Sequence, residues 1–405
     1  LTHVEGMSLD AMKAGIDWDF VTFADYLNSL EKRGMVPNVA AFCGHSSVRT
    51  WVLGDEASDR AATKSEVAEM KKLVREAMDA GACGFASSTL EQHNGENGVP
   101  MPSRLADDHE MMELTGVLGE VGKGTFMLTK GMTSTIPWLE SIAAHSGRPV
   151  MIAAMFVDPG NPERVFDENA QISEARGRGR ELWSQVGCFP LGMEFTLGHP
   201  YPLEALIAWH PAIEAEGSEE FKKILRDTSF RQGLKDEMQT TGVPNRFSSK
   251  NWDHMTIMEV HKAEHRKFIG KKVGHLARDS GEDPWDWFLD FGLADELKTL
   301  FDVRLFNVDE ERVADLLRYE YGAIALSDAG AHLSFLCDAG FGLHLMGHWA
   351  RDKEKISLEK AVEALTSRPA DIYRIKDRGR LVEGAWADLM LFDPNTVARG
   401  NKERV

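Results

Sequence analysis

The chain has 405 residues and an ordinary globular composition, 43% hydrophobic and 27% charged. That length accommodates one large barrel with an appendage, or two to three smaller domains. A formal net charge of −18 excludes a general binder of nucleic acid or of anionic membrane, because phosphate contact needs clustered lysine and arginine.

The four cysteines, Cys43, Cys83, Cys188 and Cys337, lie far apart with no C-x-x-C spacing. This argues against a disulfide framework and for a reducing compartment, the cytoplasm. No apolar run reaches the roughly 18 residues that a membrane span needs.

Residues 1–35 read as loop and short helix, rich in aromatics. A rhythm then begins with the apolar run Val39-Ala-Ala-Phe42, which ends in Cys43-Gly-His45. Thr63 and Glu66 form a capping box, Val67, Met70, Val74 and Ala77 make an apolar stripe, and Gly81 stops that helix. A strand over 82–86 follows and ends in Ser87-Ser88-Thr89. Next come a helix over about 106–121, a strand over 125–128, a helix near 136–145 and a strand over 150–154. A polar helix over about 168–185 precedes a strand at Cys188-Phe-Pro-Leu191.

Residues 197–275 break the rhythm with prolines, tryptophan and many histidines and lysines, and read as an insertion over one face. The rhythm resumes with a helix near 284–300, a strand at Val303-Arg-Leu-Phe306, and a helix from Asp309 with Val313, Leu316 and Leu317 on one side. Ala323 to Leu326 form the next strand, ending at Ser327-Asp328 before a glycine-containing turn and His332. After a helix carrying Leu358, Ala361, Val362 and Leu365, the segments 377–384 and 387–393 read as two strands outside the barrel.

Strands alternating with helices predict parallel β/α architecture, and six or seven such units favour a barrel over an open doubly wound sheet. No G-x-G-x-x-G or Walker motif supports nucleotide binding. In a barrel the active site lies at the C-terminal ends of the strands. A carboxylate at a strand end, such as Asp328, suits a catalytic group there. On local sequence alone it suits a cap of the next turn equally well.

His45 follows a strand directly, which suggests the barrel mouth, the alternative being a hydrogen-bonded structural histidine. His93 lies in a Gly- and Asn-rich loop after another strand, where function or solvent exposure is equally compatible. His332 is four residues past Asp328. His344 and His348 share one helix face but lack the glutamate of H-E-x-x-H, so packing is expected. His254, His261, His265 and His275 have no ligand-like spacing and read as surface residues.

Several motifs occur in a family order. Early in the chain these are Gly15-Ile-Asp-Trp18, Tyr26-Leu27, Asn38-Val-Ala40, Gly44-His-Ser-Ser-Val-Arg49 and Gly81-Ala-Cys-Gly-Phe-Ala86. Later come Leu326-Ser-Asp328, Ser357-Leu-Glu-Lys-Ala361, Leu365-Thr-Ser-Arg-Pro-Ala370, Asp377-Arg-Gly379 and Glu383-Gly-Ala-Trp-Ala-Asp-Leu389 with Phe392-Asp-Pro394. Together they resemble the metal-dependent amidohydrolases, in the N-acyl-D-amino-acid deacylase (D-aminoacylase) branch.

The resemblance implies a distorted (β/α)8 TIM-like barrel over 1–376, with the insertion at about 197–275. Residues 377–405 would be the C-terminal strands of a small β-domain that both chain ends build. It implies metal-assisted hydrolysis of a C–N bond in an N-acyl amino acid or related amide. Zinc, as one or two divalent ions, would be held in part by Asp328, which would also be the general base. Ser327, His45, His93 and His332 would contact substrate. An upstream segment or partner chain would complete the site with an H-x-H pair, and a homo-oligomer is expected.

Two positions depart from that pattern. The family's histidines after the fifth and sixth strands are replaced at Thr129-Lys130-Gly131 and Ala154-Met155-Phe156. Lys130 would serve as a ligand only if carboxylated, and otherwise as a salt-bridged lysine. Hydrolysis of a cyclic amide or lactone on the same barrel, and a non-catalytic assembly role, stay open.

Overall fold

The computed structural model describes residues 9–95, 98–204, 206–213, 215–239, 247–327 and 339–400. Nine strands fall there into two sheets: β1 (Phe42–Gly44), β2 (Gly84–Ser88), β3 (Thr125–Thr129), β4 (Val150–Met155), β5 (Leu182–Val186), β6 (Leu191–Phe195), β7 (Met255–Glu259), β8 (Leu300–Phe306) and β9 (Gly322–Ile324). The larger sheet runs β1-β2-β3-β4-β5-β9, and every pairing in it is parallel.

Its register explains its two faces. Phe85, Phe126, Val150 and Leu182 stand side by side across β2 to β5, all fully buried beneath the helices. One residue further on, Met127, Met151 and Trp183 point the other way and meet Ala323, Ile372 and Tyr373. This is the wall of a β/α barrel, with helices outside and a small apolar plug inside. Among the described residues six strands form it, with β1 and β9 as its edges.

The outer helices follow the sequence closely. The helix Lys64–Ala80 starts at the Thr63/Glu66 capping box and ends at Gly81, whose φ of 117° suits glycine. Its buried face, Val67, Met70, Val74 and Met78, packs on the sheet, each such side chain contributing about 1.5–3 kcal/mol. The helices Asp108–Val121, Ile136–Ser146, Arg164–Gly177 and Glu310–Leu317 repeat the pattern.

Three expectations shift. The polar helix stops at Gly177 rather than near 185, because Gly179 turns left-handed with φ 79°. Leu182–Val186 then supplies the barrel strand expected at 188–191. The insertion is also larger than 197–275. A second core spans 191–306, built on Trp209, Trp252, Trp285, Phe288 and Phe301 around the antiparallel sheet β6-β8-β7. The strand expected at 303–306 exists, but it is the centre of that sheet and not a barrel strand.

Asn307 joins the two cores. Its side chain accepts from the Val157 N–H at 2.8 Å and donates to the carbonyls of Gly187 at 3.0 Å and Phe189 at 3.3 Å. Its φ of 57° is one that asparagine tolerates better than most residues.

The third shift concerns 377–394, which forms turns and extended segments rather than two strands. A strand needs a ladder partner for its backbone groups, and among the described residues none pairs with it. Several of its apolar side chains stand in solvent, Leu391 completely and Leu381 by 80%, while Phe392 packs against the main core. No helix among the described residues is long and apolar enough to cross a membrane.

Candidate functional site

Every barrel strand ends on the same rim, because all six run parallel. The rim comprises Gly44 and His45 after β1, Ser88 and Thr89 at β2, Thr129 and Lys130 at β3, Met155 at β4, Val186 at β5, and Ala325 to Ser327 after β9. It is the location at which barrels place their chemistry.

Hydrogen bonds stitch one arc of this rim together. The Thr89 N–H donates to the Thr129 carbonyl and the Lys130 N–H to the Ala153 carbonyl. The Gly131 N–H donates to Thr89 Oγ1 at 3.0 Å. A Cβ at Gly131 would overlap the Thr89 carbonyl oxygen, so this close approach requires glycine.

His45 does not reach the rim opening. It starts the helix His45–Leu53 and is 1% exposed. Its Nδ1 lies 2.7 Å from Ser87 Oγ and its Nε2 lies 2.7 Å from Glu110 Oε1. Burial is the largest influence on its pKa and pushes it below the usual histidine value, and neighbouring Arg49 adds to this against Glu110. The neutral ring donates from Nε2 to Glu110 and accepts at Nδ1 from Ser87. The carboxylate also accepts a hydrogen bond from Arg49 Nη1. Burial alone would raise the Glu110 pKa, but the bonds and charges of His45 and Arg49 outweigh it and hold the carboxyl below its ordinary range. Both ring nitrogens of His45 are thus hydrogen-bonded within the protein.

His93 does stand at the rim. Its Nδ1 is 2.6 Å from Ser88 Oγ, at the last position of β2. The loop that carries it is anchored by Ser103 Oγ donating to the Ser88 carbonyl at 2.9 Å and by Met101 N–H donating to the His93 carbonyl.

Lys130 is 9% exposed, and its Nζ lies 2.9 Å from Glu168 Oε1, with Arg164 at 3.9 Å from the same oxygen. In this arrangement Lys130 is paired with Glu168. Ser327 is partly buried at the exit of β9, directly after Leu326, whose φ of 87° lies in the left-handed region. Asp328 and His332 lie outside the described residues. Among the described residues no group of three or more His, Cys, Asp or Glu is placed to hold a metal ion.

The remaining histidines differ in their surroundings. His344 and His348 stack at 4.6 Å on one helix face. His265, expected at the surface, instead binds buried Asp295 at 2.7 Å.

Three groups escaped sequence reading. Glu110 and Glu168 are ordinary helix glutamates in sequence, and only the fold brings them to His45 and Lys130. Gln185 shares the inward face of β5 with Trp183, and its Oε1 is buried without a hydrogen-bond partner. The polar pattern over about 168–185 reads as helix into this strand, which hides its inward direction.

The amidohydrolase family profile matches residues 323–405, from β9 to the end of the chain. Uncharacterised proteins of Mycobacterium tuberculosis and Mycobacterium bovis are 27% identical over 407 residues, covering 95% of this chain and 65% of theirs. The D-aminoacylase of Alcaligenes xylosoxydans xylosoxydans is 26% identical over 401 residues, covering 96% of this chain and 68% of its own. A crystal structure of D-aminoacylase superposes with a TM-score of 0.61 at 20% identity, over 94% of this chain and 67% of that one. The N-acyl-D-glutamate deacylase of Bordetella bronchiseptica, solved with zinc and a phosphonate mimic of the tetrahedral intermediate, gives 0.60 at 21%, with the same coverage.

The fold is therefore that of the D-aminoacylase structures on which the chain superposes. In sequence the resemblance runs to the D-aminoacylase-like branch of the amidohydrolases, as the motifs implied. The chain spans 65% of the length of its mycobacterial relatives.

Proposed function

We propose that this chain is the larger part of a metal-dependent hydrolase that cleaves the C–N amide bond of an N-acyl amino acid. The observation that carries this is the family match over 323–405, which begins on β9. That strand's exit through strained Leu326 and Ser327 leads straight to Asp328. A left-handed non-glycine residue costs about 1–2 kcal/mol, and such strain gathers where a side chain must be aimed.

In this reading the Asp328 carboxylate takes the proton of the attacking water and hands it to the leaving nitrogen. Ser327, His93 and His332 contact the substrate. The related deacylase solved with zinc supports zinc as the metal. The described residues by themselves do not make a metal site. The ligands would therefore be Asp328 and histidines supplied by a further segment or partner chain. That segment would also close the wall between β1 and β9 and pair with 377–405 in a small β-domain, leaving 1–376 as the barrel unit. A homo-oligomer belongs to the same reading.

The test is Asp328→Asn, assayed on N-acyl-D-amino acids. Asparagine keeps the shape and a local cap but accepts no proton at neutral pH. Turnover should fall about 100- to 10,000-fold with an unchanged melting temperature. A variant that melts lower yet keeps most of its activity would make Asp328 structural.

A further inference from the structure

At the opposite end of the barrel wall from the rim lies a cleft of about 330 Å³ that the hydrolytic reading does not use. It opens beside the N-terminal ends of β5 and β9, between Trp183, Tyr321 and the helix Ser367–Ile372. Three arginines and three acids line it, and their pairing separates them.

Arg380 is neutralised by Asp371, through bonds of 2.8 and 2.6 Å. Arg368 donates to the carbonyls of Glu320 and Gly322 and to the Glu363 carboxylate at 3.1 Å. Arg176 differs. Its guanidinium carbon lies 4.5 Å from the Trp183 ring centroid and 4.5 Å from that of Tyr321, in the corner where these two rings meet edge to face at 76°. The aromatic corner fixes the cation and leaves its N–H groups for recognition. One of them, on Nη1, is buried without any acceptor. Among the described residues Arg176 makes no ion pair. The Glu320 carboxylate, exposed on the same cleft, makes none either.

A cleft with one unpaired, rigidly held guanidinium, one unpaired carboxylate and aromatic walls is complementary to a small molecule carrying both charges. We infer that it binds a free α-amino acid. The ligand carboxylate would take the in-plane N–H groups of Arg176, the geometry in which arginine reads carboxylates best. The ligand ammonium would sit against Glu320. Binding here needs neither metal nor turnover, so the inference stands apart from the hydrolytic reading. A simple anion would satisfy only half the cleft.

Calorimetric titration of the full-length protein with D- and L-leucine, with acetate as control, tests this. A leucine Kd of about 1 mM or tighter, with acetate at least about tenfold weaker, is the expected result. Glu320→Gln, at an exposed position, should weaken leucine about tenfold and leave acetate unchanged. Arg176→Lys keeps the charge but loses the planar fork, and should weaken both. No heat from leucine at about 10 mM, or acetate binding as tightly as leucine, would overturn the inference. Leucine binding that neither variant alters would place the ligand elsewhere, in the hydrolytic site for instance, and would overturn it too.

Discussion

Replacing Glu110 with alanine should be among the most destabilising single changes in the barrel, although Glu110 does no chemistry. Its side chain is 1% exposed, and those of Arg49 and His45 are 0% exposed. Without the carboxylate, Arg49 keeps only the carbonyls of Ala57 at 3.2 Å and Arg60 at 2.8 Å, both through Nη2. Its Nε already has no partner, and Nη1 would join it. Orphaning a buried charge costs about 3–5 kcal/mol, on the order of a 4–6 °C drop in melting temperature for a chain of this size. The unpaired His45 Nε2 adds about 1 kcal/mol or more. Urea denaturation at about pH 7, followed by far-ultraviolet circular dichroism, measures the loss. Glu110→Gln keeps the shape and should cost roughly half as much. Combining Glu110→Leu with Arg49→Met should recover most of the loss, because two desolvated charges mainly need each other. A loss below about 1 kcal/mol for Glu110→Ala would refute the view that this triad is a closed, buried network.

Three further outcomes can be checked. Gly131→Ala should cost about 1–3 kcal/mol and lower kcat/KM, because the added methyl must push the Thr89 carbonyl and with it the Ser88–His93 arc. The His344 pKa is pushed down from 6.5 to about 4, by burial first and then by His348 and Arg399, with Glu310 opposing. The unfolded chain therefore binds the proton first, and stability is complete above about pH 6.5 and falls by up to about 3 kcal/mol as pH drops to about 4. His344→Gln should flatten that part of the stability–pH curve. Prolonged dialysis against a chelator should remove both metal and amidase activity, and added zinc should restore them. Stoichiometric zinc surviving that treatment would contradict a site built with few strong ligands.

Local patterns carry much of this molecule. The capping box at Thr63 and Glu66, the stripe Val67–Met70–Val74 and the stop at Gly81 specify their helix without help from distant residues. The alternation of strands with helices likewise sufficed for a parallel barrel wall, since each crossover helix covers one face of the next pair. What the sequence left open depended on partners. Leu300–Phe306 has the apolar content of a barrel strand, and only the core formed by Trp209, Trp252 and Trp285 draws it into a separate antiparallel sheet. Leu182–Val186 alternates too weakly to announce a strand, and β4 and β9 on either side make it one. His45 reads as a rim histidine because it directly follows β1. It becomes a buried, hydrogen-bonded residue because Glu110, 65 residues later, is delivered to its Nε2. Short-range capping and periodicity are written in neighbouring residues. Which carboxylate meets which cation is settled only when helices far apart in sequence pack on one sheet, because the low dielectric there forces every buried charge to find its partner.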